Sequence, residues 1–410
     1  MSSGERPFFS IISTTRYEEA TIMDLSYEEF TQYISEEDIK FIRLAFTDVY
    51  GNTKNISVMP HMMEEIYKNG MAIDADAIPG FKSAAGRGVF LHPDFTTTKI
   101  LPWRPEHGKV IRAFCELKYE DDTPFELDTR KILKDAIKEA ESEGVTFRFG
   151  SRMEFYLFNL DENSNPTCIP HDNAGYMDIA PLDRGENVRR EICLTLERMG
   201  ILPVNSHHEA GPGQNEIDFM SADPLTSADN VEVFRMVVKT VAARNGLYAD
   251  FSPKPLDNKP GNGYHVNLFA QREGADIMDS VCAGILEHTF ESTIFYNQYD
   301  ESYKRLGGRK NLYNICWDPS SSDSVISVPA TKGKDKYVQF KSPDSATNPY
   351  LVNALLIYSG LDGIRKNLTT SSYSKKVALP SNKTEAAEAA LESEFVNTIF
   401  SKNLIEVYTK

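Results

Sequence analysis

Residues 207–218 have the sequence HHEAGPGQNEID, and this stretch decides how the rest of the chain is interpreted. Its centre, Gly-Pro-Gly at 211–213, is a turn sequence between two extended segments. The turn brings Glu209 and Glu216 towards each other across a hairpin. Two carboxylates held this close repel each other unless a cation lies between them, and carboxylate oxygens suit Mg²⁺ or Mn²⁺. The segment therefore predicts an acidic hairpin that binds a divalent metal ion.

A strand upstream of this hairpin offers a third carboxylate. In the run TFRFGSRMEFYLFNL, residues 146–160, side chains alternate between two faces, which places Arg152 and Glu154 on the same face. A carboxylate in the middle of an aromatic strand is costly to bury unless it is paired or metal-bound. Two interpretations stay open: Glu154 forms an ion pair with Arg152, or it joins the two hairpin glutamates as a metal ligand.

A glycine-rich segment downstream, SPKPLDNKPGNGYHVNLF at residues 252–269, leads into another strand. Gly261 and Gly263 allow the backbone to approach a ligand closely. A neutral imidazole on the following strand, that of His265, could complete a metal or phosphate site. A purely structural role for this histidine is the alternative.

The order of the predicted elements indicates an α+β fold. Two β-branched runs within residues 39–59 flank a turn sequence at 50–52, which is the pattern of a β-hairpin. Asp128 is a good N-cap for an amphipathic helix that ends at Gly144. Because the strands come as hairpins and not in βαβ alternation, we expect a small sheet-rich domain followed by a larger domain with an antiparallel sheet backed by helices.

Composition excludes several classes of protein. The 410 residues suffice for two domains, and 60 acidic against 44 basic residues give a formal net charge of -16, which repels nucleic acid. The five cysteines show no CxxC spacing, so neither a disulfide framework nor a zinc site is expected. The chain lacks a signal-peptide pattern and a long apolar run. These features predict a cytoplasmic protein without a membrane or nucleic-acid partner.

Taken together, these segments resemble glutamine synthetases of the bacterial type I group, in order and spacing, over residues of about 38–365. The matching segments are FTDVYGNTKNISV, AIDADAIPGF, MEFYLF, HHEAGPGQNEID, KPGNGYHVNLF and PDSATNPYLVNALLIYSGLDGI. The resemblance implies a β-grasp domain over residues 35–117. It also implies a glutamine synthetase/guanido kinase-like catalytic domain over residues 118–410.

The resemblance also implies an activity and an assembly. Such enzymes use ATP to phosphorylate the side-chain carboxylate of glutamate, and ammonia or another amine then displaces phosphate from the γ-glutamyl phosphate. They bind Mg²⁺ or Mn²⁺ and assemble as dodecamers of two stacked hexameric rings. Each active site lies between neighbouring subunits, and Asp74 would be the loop aspartate that one subunit contributes to the next.

Several residues match family positions with assigned roles. Glu154, Glu209 and Glu216 occupy the three ligand positions of the first metal site, and Glu209 is also expected in the catalytic set with Asp74 and Arg305. Arg305 matches the arginine that binds the substrate α-carboxylate. The substrate-binding set also contains Gly261 and His265, and His265 is the retained ligand of the second metal site.

Other family positions are altered, and most of them serve phosphoryl transfer. Arg152 and Gln339 stand where the second metal site has glutamates, and Arg152 would pair with Glu154. Ser322, Ser327 and Lys341 stand at positions where the family has arginine, and Asn267 stands where it has histidine. The flap that closes over ammonium is replaced by GGRKNLYN, residues 307–314, where Arg309 or Lys310 could substitute for a lost arginine.

Two hypotheses follow. The first is an ATP-dependent carboxylate–amine ligase whose second metal and phosphate site is depleted, so that its activity is altered or weak. The second is a non-catalytic paralogue that binds an amino acid or regulates a true glutamine synthetase.

Overall fold

A computed structural model of the chain describes residues 26–81, 86–104, 107–307, 314–318, 321, 323–330 and 337–410. Within these ranges a five-stranded N-terminal sheet is followed by a larger sheet backed by helices, which confirms the predicted α+β fold and β-grasp domain. No helix in this part of the chain is both long and apolar enough to cross a membrane.

The N-terminal domain is a mixed sheet with two helices. Its elements are α1 (Tyr27–Glu36), β1 (Ile39–Thr47), β2 (Thr53–Val58), α2 (Met63–Asn69), β3 (Met71–Ile73), β4 (Val89–Ile100) and β5 (Lys109–Tyr119). The strand order is β2-β1-β5-β4-β3, with β1 and β5 parallel and the other neighbours antiparallel. β5 is therefore the central strand of this sheet, flanked by β1 and β4, and β3 lies at one edge.

The predicted hairpin at residues 39–59 is confirmed as β1 and β2. Asp48 shapes its turn by accepting hydrogen bonds from the backbone N–H groups of Tyr50 (3.0 Å) and Asn52 (2.9 Å). Gly51 has φ +81°, and a Cβ there would lie 2.9 Å from the Cα of Asn348. Only glycine combines this backbone conformation with so close an approach to the catalytic domain.

The large sheet is antiparallel, as predicted. Its strands are β6 (Val145–Leu160), β7 (Pro166–Pro170), β8 (Pro203–His208), β9 (Gln214–Ala222), β10 (Leu247–Asp250), β11 (Tyr264–Arg272), β13 (Ile326–Ser327) and β14 (Val338–Phe340), and a separate pair is formed by β12 (Asn314–Ile315) and β15 (Val377–Ala378). The order is β13-β14-β11-β6-β9-β8, and β7 and β10 also pair with β6. The long strand β6 is thus flanked by β11 and β9.

Helices cover this sheet and fix its position against the small domain. They are α3 (Thr129–Ser142), α4 (Glu186–Arg198), α5 (Pro224–Arg244), α6 (Met278–Tyr296), α7 (Asp300–Leu306), α8 (Pro349–Arg365), α9 (Lys383–Glu392), α10 (Glu394–Ile399) and α11 (Lys402–Thr409). As predicted, Asp128 caps α3, and its carboxylate accepts hydrogen bonds from the first turn. Arg130 of α3 contacts Asp94 of β4 at 2.9 Å and Asp229 of α5 at 3.1 Å, which joins the two domains.

The hairpin of the small domain is also held by residues far away in sequence. Asn348, the N-cap of α8, donates through Nδ2 to the carbonyl oxygen of Val49 at 3.1 Å. The hydroxyl group of Tyr408 in α11 donates to the same oxygen at 2.5 Å. The first hairpin therefore depends on contacts with the last described helix.

Candidate active site

One face of β6 carries the residues that the sequence singled out. In the antiparallel register, Arg152 lies opposite His265 of β11 on one side and Asp218 of β9 on the other. Glu154, two residues along β6, lies opposite Glu216 of β9. Directly opposite residues point to the same face of a sheet, so the alternation of polar residues along three strands builds one polar surface.

Two overlapping groups of side chains on this surface have potential ligand atoms within 4.8 Å of one another. One group is Glu154, Glu216 and His265, and the other is His207, Glu209 and Glu216. Glu216 belongs to both groups and is only 1% exposed. The sequence grouped the three glutamates as one ligand set and assigned His265 to a second site, and these assignments stay predictions.

The electrostatics of the group that contains His265 favour a bound cation. Burial raises the pKa of Glu154, and the nearby charges of Glu216 and Glu209 raise it further. Burial raises the pKa of Glu216 to about 7, although the positive charge of Arg152 opposes this shift. Burial and the same arginine lower the pKa of His265. Mutually repelling carboxylates beside a neutral imidazole are a donor set that fits a divalent metal ion.

Arg152 occupies the centre of this acidic face. Its guanidinium pairs with Glu216 through Nη2, and its Nε lies 3.1 Å from Oδ2 of Asp218. Burial disfavours its charge, but these two carboxylates together raise the pKa of Arg152. The predicted pairing of Arg152 with Glu154 is wrong, because residues two apart on a strand lie farther apart than residues that face each other across strands. Glu216 therefore already has a positive partner.

The glycines at 261 and 263 are required by the space around the site. A Cβ on Gly261 would lie 2.3 Å from the carbonyl oxygen of Pro253, and one on Gly263 would lie 2.7 Å from Nε2 of His265. The backbone N–H of Gly263 donates to Oε2 of Glu154 at 2.7 Å. This close approach of backbone to site is what the glycine spacing predicted.

Arg305 is buried behind this segment. It is 2% exposed, and its Nη2 donates to Oδ1 of Asn297 at 3.0 Å and to the carbonyl oxygen of Ser342. A Cβ on Gly261 would approach its Cγ to 2.6 Å. The predicted substrate-binding arginine thus packs directly against the predicted substrate-binding glycine.

Three of the altered family positions are neighbours on the sheet. Gln339 of β14 lies opposite Asn267 of β11 and Ser327 of β13, and its Nε2 donates to Oδ1 of Asn267 at 3.0 Å. Lys341 directly follows the end of β14, and its backbone N–H donates to the carbonyl oxygen of Val325 at 2.9 Å. Burial lowers the pKa of its side chain. The positions of Ser322, Arg309 and Lys310 lie outside the described residues.

Asp74 is separate from this cluster in the sequence and in the fold. It follows β3, the edge strand of the small sheet, and caps a short 3₁₀ turn at Ala75–Ala77. Its side chain is exposed. An exposed carboxylate on the edge of the small domain is available to a neighbouring molecule.

Some residues of the site were missed by the sequence argument. His207 belongs to the second ligand group, and Asp218 anchors Arg152, although both lie within the quoted string at 207–218. His208, which is fully buried, bonds through Nδ1 to the carbonyl oxygen of Glu209 at 2.6 Å and through Nε2 to Asp172 at 2.8 Å. The repeated histidines of the string were the sequence signal for the roles of His207 and His208.

Two protein-family models match the sequence of this chain. Residues 38–119 match the family described as glutamine synthetase, beta-Grasp domain, and residues 126–410 match glutamine synthetase, catalytic domain. The chain belongs to the glutamine synthetase family. Its domain boundaries at residues 35–117 and 118–410 stay predictions, as does the type I assignment.

Individual glutamine synthetases are also similar to this chain in sequence or in fold. The chain is 40% identical over 356 residues to glutamine synthetases of Clostridium saccharobutylicum and Staphylococcus aureus, covering 83% of this chain and 80% of each relative. A cryo-EM structure of Plasmodium falciparum glutamine synthetase has a TM-score of 0.86 at 20% identity, covering 95% of both chains, which shows the shared fold. A ligand-free structure named GmaS has a TM-score of 0.82 at 25% identity, covering 92% of this chain and 94% of that chain.

Proposed function

We propose that this chain is a type I glutamine synthetase-family ligase that uses ATP to join ammonia or another amine to the side-chain carboxylate of a glutamate-like amino acid. The observation that carries the proposal is the acidic cluster on β6 and β9, where Glu154, Glu209 and Glu216 meet His207 and His265. Relatives that are 40% identical carry the name glutamine synthetase. Small-molecule substrates follow from family membership.

Within this proposal, Glu154, Glu209 and Glu216 hold Mg²⁺ or Mn²⁺, with His265 as a further donor. A metal ion in this position would neutralise phosphate charge as the γ-glutamyl phosphate forms. Glu209 also deprotonates the attacking amine. Gly261 leaves room for the amino-acid substrate beside Arg305, which orients the α-carboxylate.

The second metal and phosphate site is depleted in this proposal. Arg152 places a fixed positive charge where a glutamate would bind a second cation, and Gln339 is bonded to Asn267. Loss of one transition-state donor typically costs about 10²–10³ in rate, and several such losses are not simply additive. We therefore expect a turnover well below that of the named relatives, or an altered amine preference.

The proposed assembly is a homo-oligomer, with the family dodecamer as its specific form. Asp74 on the exposed edge of one small domain would complete the site of the neighbouring subunit. Five large apolar side chains between positions 169 and 182 are exposed in the single chain: Ile169, Tyr176, Met177, Ile179 and Leu182. Their exposure supports burial against another copy of the chain. A cytoplasmic location remains a prediction of the sequence.

Phosphate release tests the activity directly. The purified protein is incubated with Mg²⁺ or Mn²⁺, ATP and glutamate, and phosphate is measured against a panel of amines beginning with ammonia. Release that requires both glutamate and an amine supports the ligase. A Glu209→Gln variant, which removes both the proposed base and one proposed metal ligand, should lose this release.

The second hypothesis, a non-catalytic paralogue that binds an amino acid or regulates a true glutamine synthetase, is favoured by the ion pair of Arg152 with Glu216. It predicts no ATP binding in calorimetry but retained binding of a glutamate-like amino acid. The similarity to named synthetases supports the ligase over this alternative.

A further inference from the structure

Three basic side chains lie side by side on the small sheet, away from the acidic cluster. Arg112 of β5 is opposite Arg43 of β1 on one side and Lys99 of β4 on the other. Like charges directly opposite each other on neighbouring strands destabilise a sheet. This cationic row is therefore unfavourable unless a negative charge lies near it.

No carboxylate in the described part of the chain forms an ion pair with any of these three residues. Arg112 is 4% exposed, and its Nε and Nη1 atoms are buried without a hydrogen-bond partner. The guanidinium carbon of Arg112 lies 4.0 Å from the centre of the Phe114 ring, but without a hydrogen-bonded carboxylate a buried charge remains costly.

The nearby carboxylates of α5 are already engaged elsewhere. Asp229 accepts two bonds of 3.1 Å from Arg130 and one of 2.7 Å from the hydroxyl group of Tyr350. Glu232 accepts a bond of 2.6 Å from Thr53 and one of 2.8 Å from Arg235. The cationic row therefore keeps its excess of positive charge.

A small cavity lies where the row meets helix α5. Its volume is about 20 Å³, and it is lined by Arg43, Ala45, Thr53, Asn55, Arg112, Phe114, Glu232, Val233 and Met236. This is room for about one water-sized group. Half-buried Arg43 leads from the cavity to the surface, and Phe41, two residues away on the same face, is 42% exposed.

We propose that the cationic row is a binding site for a small anionic metabolite, with one oxygen of its carboxylate or tetrahedral oxyanion in the cavity between Arg43 and Arg112 and its remaining atoms over Phe41. Charge-assisted bonds to an anionic oxygen would satisfy donors that the protein leaves unpaired. Burial lowers the pKa of all three basic groups, that of Arg112 to about 10, and an anion would reverse this effect.

A continuous chain of bonds connects this cavity with the acidic cluster, so that occupancy would regulate it. From Thr53 the contacts run through Glu232 to Arg235, whose Nη2 donates to the carbonyl oxygen of Ser345 at 2.7 Å. The hydroxyl group of Ser345 donates to the carbonyl oxygen of Gly263 at 2.7 Å. The N–H of the same glycine holds Glu154, as described above.

Calorimetry of the full-length protein with sodium sulfate or with succinate, at constant ionic strength set with chloride, tests the site. The wild type should bind at least one of them saturably, and Arg43→Gln with Lys99→Gln should weaken this binding about tenfold or more. Lys40→Gln, which removes an exposed charge on β1 that pairs with Asp38 in the preceding turn, should leave it unchanged. Preference for sulfate would indicate a phosphorylated metabolite, and preference for succinate a carboxylic acid.

Absence of saturable binding in the wild type, or unchanged affinity in the double variant, would overturn the proposal. The double variant leaves the buried arginine in place, so a failure of Arg112→Gln to fold does not affect the test.

The proposed effect of the anion on metal binding is measured separately. Saturation with the preferred anion should change the dissociation constant for Mn²⁺ by about fivefold or more, which is the lower range of allosteric coupling. Thr53→Val breaks the first link to Glu232 and should abolish this change while anion binding persists. If the anion leaves Mn²⁺ affinity unchanged, the regulatory part is wrong. Neither result depends on turnover, so both are separate from the test of the proposed ligase.

Discussion

The guanidinium of Arg152 on β6 is paired with the carboxylate of Glu216 on β9, the one residue that both potential ligand groups share. A metal ion that uses Glu216 must therefore lie near a fixed positive charge. Two positive charges at this distance repel each other strongly in a buried environment. Within the proposed function, this pairing limits how many metal ions the acidic cluster binds, and that effect can be tested by restoring the negative charge.

Restoring acidic residues at both altered positions should create a second metal site. We expect Arg152→Glu combined with Gln339→Glu to bind one more Mn²⁺ ion per chain than the wild type, as counted by calorimetry. Arg148→Glu is the matched control, because Arg148 lies on the same strand and donates to the carbonyl oxygen of Ser221 at 3.2 Å. Unchanged stoichiometry in the double variant would mean that the second site is misplaced.

The raised pKa of Glu216 makes the stability of the metal-free protein depend on pH. Between its ordinary value of 4.5 and about 7, the native state keeps a proton that the unfolded state releases. The contribution of this residue to the free energy of unfolding therefore falls as pH rises through that window, by about 3 kcal/mol at most.

Reversible urea unfolding of the wild type and of Glu216→Gln across this window measures the effect of Glu216 together with its influence on Glu154, whose pKa it raises. The lowered pKa of His265 acts in the opposite direction in both proteins and cancels in the difference. The variant should lose less stability with rising pH than the wild type. Parallel pH profiles would contradict the prediction.

Gly263→Ala should weaken metal binding without unfolding the protein. The added methyl group would lie 2.7 Å from Nε2 of His265, and the shift would also disturb the bond from the glycine N–H to Glu154. Disturbing a group that orients a metal ligand typically costs about 10–100-fold in affinity. Gly150→Ala on β6 is the control, since its nearest contact is 3.5 Å. Equal Mn²⁺ affinities in the two variants would contradict this account.

Asp172→Ala should destabilise the metal-binding hairpin. The buried carboxylate accepts bonds from His208 at 2.8 Å, from the N–H of Gly213 at 2.9 Å and from the N–H of Arg184 at 3.0 Å. Breaking a buried pair of this kind costs about 3–5 kcal/mol in free energy of unfolding.

Asp161→Ala is a matched control for this prediction. Asp161 also accepts backbone bonds, from Asn163 and Asn165, but it is exposed, so its loss should cost only about 1 kcal/mol. Both costs are measured by urea unfolding. Similar losses in the two variants would show that the buried carboxylate has no special role in the hairpin.

Much of the fold and site followed from local sequence patterns. The period of two along β6 placed Arg152 and Glu154 on one face, and the Gly-Pro-Gly turn brought Glu209 and Glu216 into one hairpin. These predictions depend only on chain geometry within one or two elements, which the residue types determine directly.

The partners across strands could not be predicted in the same way. The sequence suggested that Arg152 pairs with Glu154, whereas the register of β6 with β9 brings it to Glu216 and Asp218. Register depends on long-range packing, and a shift of one residue would exchange the two faces. The cationic row at Arg112 was missed for the same reason, because its three members come from three separate strands.

The carbonyl oxygen of Val49 receives hydrogen bonds from Asn348 and from Tyr408, residues about three hundred and more positions later. During synthesis on the ribosome, the hairpin emerges long before either donor exists. Contacts of such large sequence separation form late, because a long loop must close first. The small domain can therefore collapse early, but its packing against the catalytic domain is complete only after the helix that contains Tyr408 has been made.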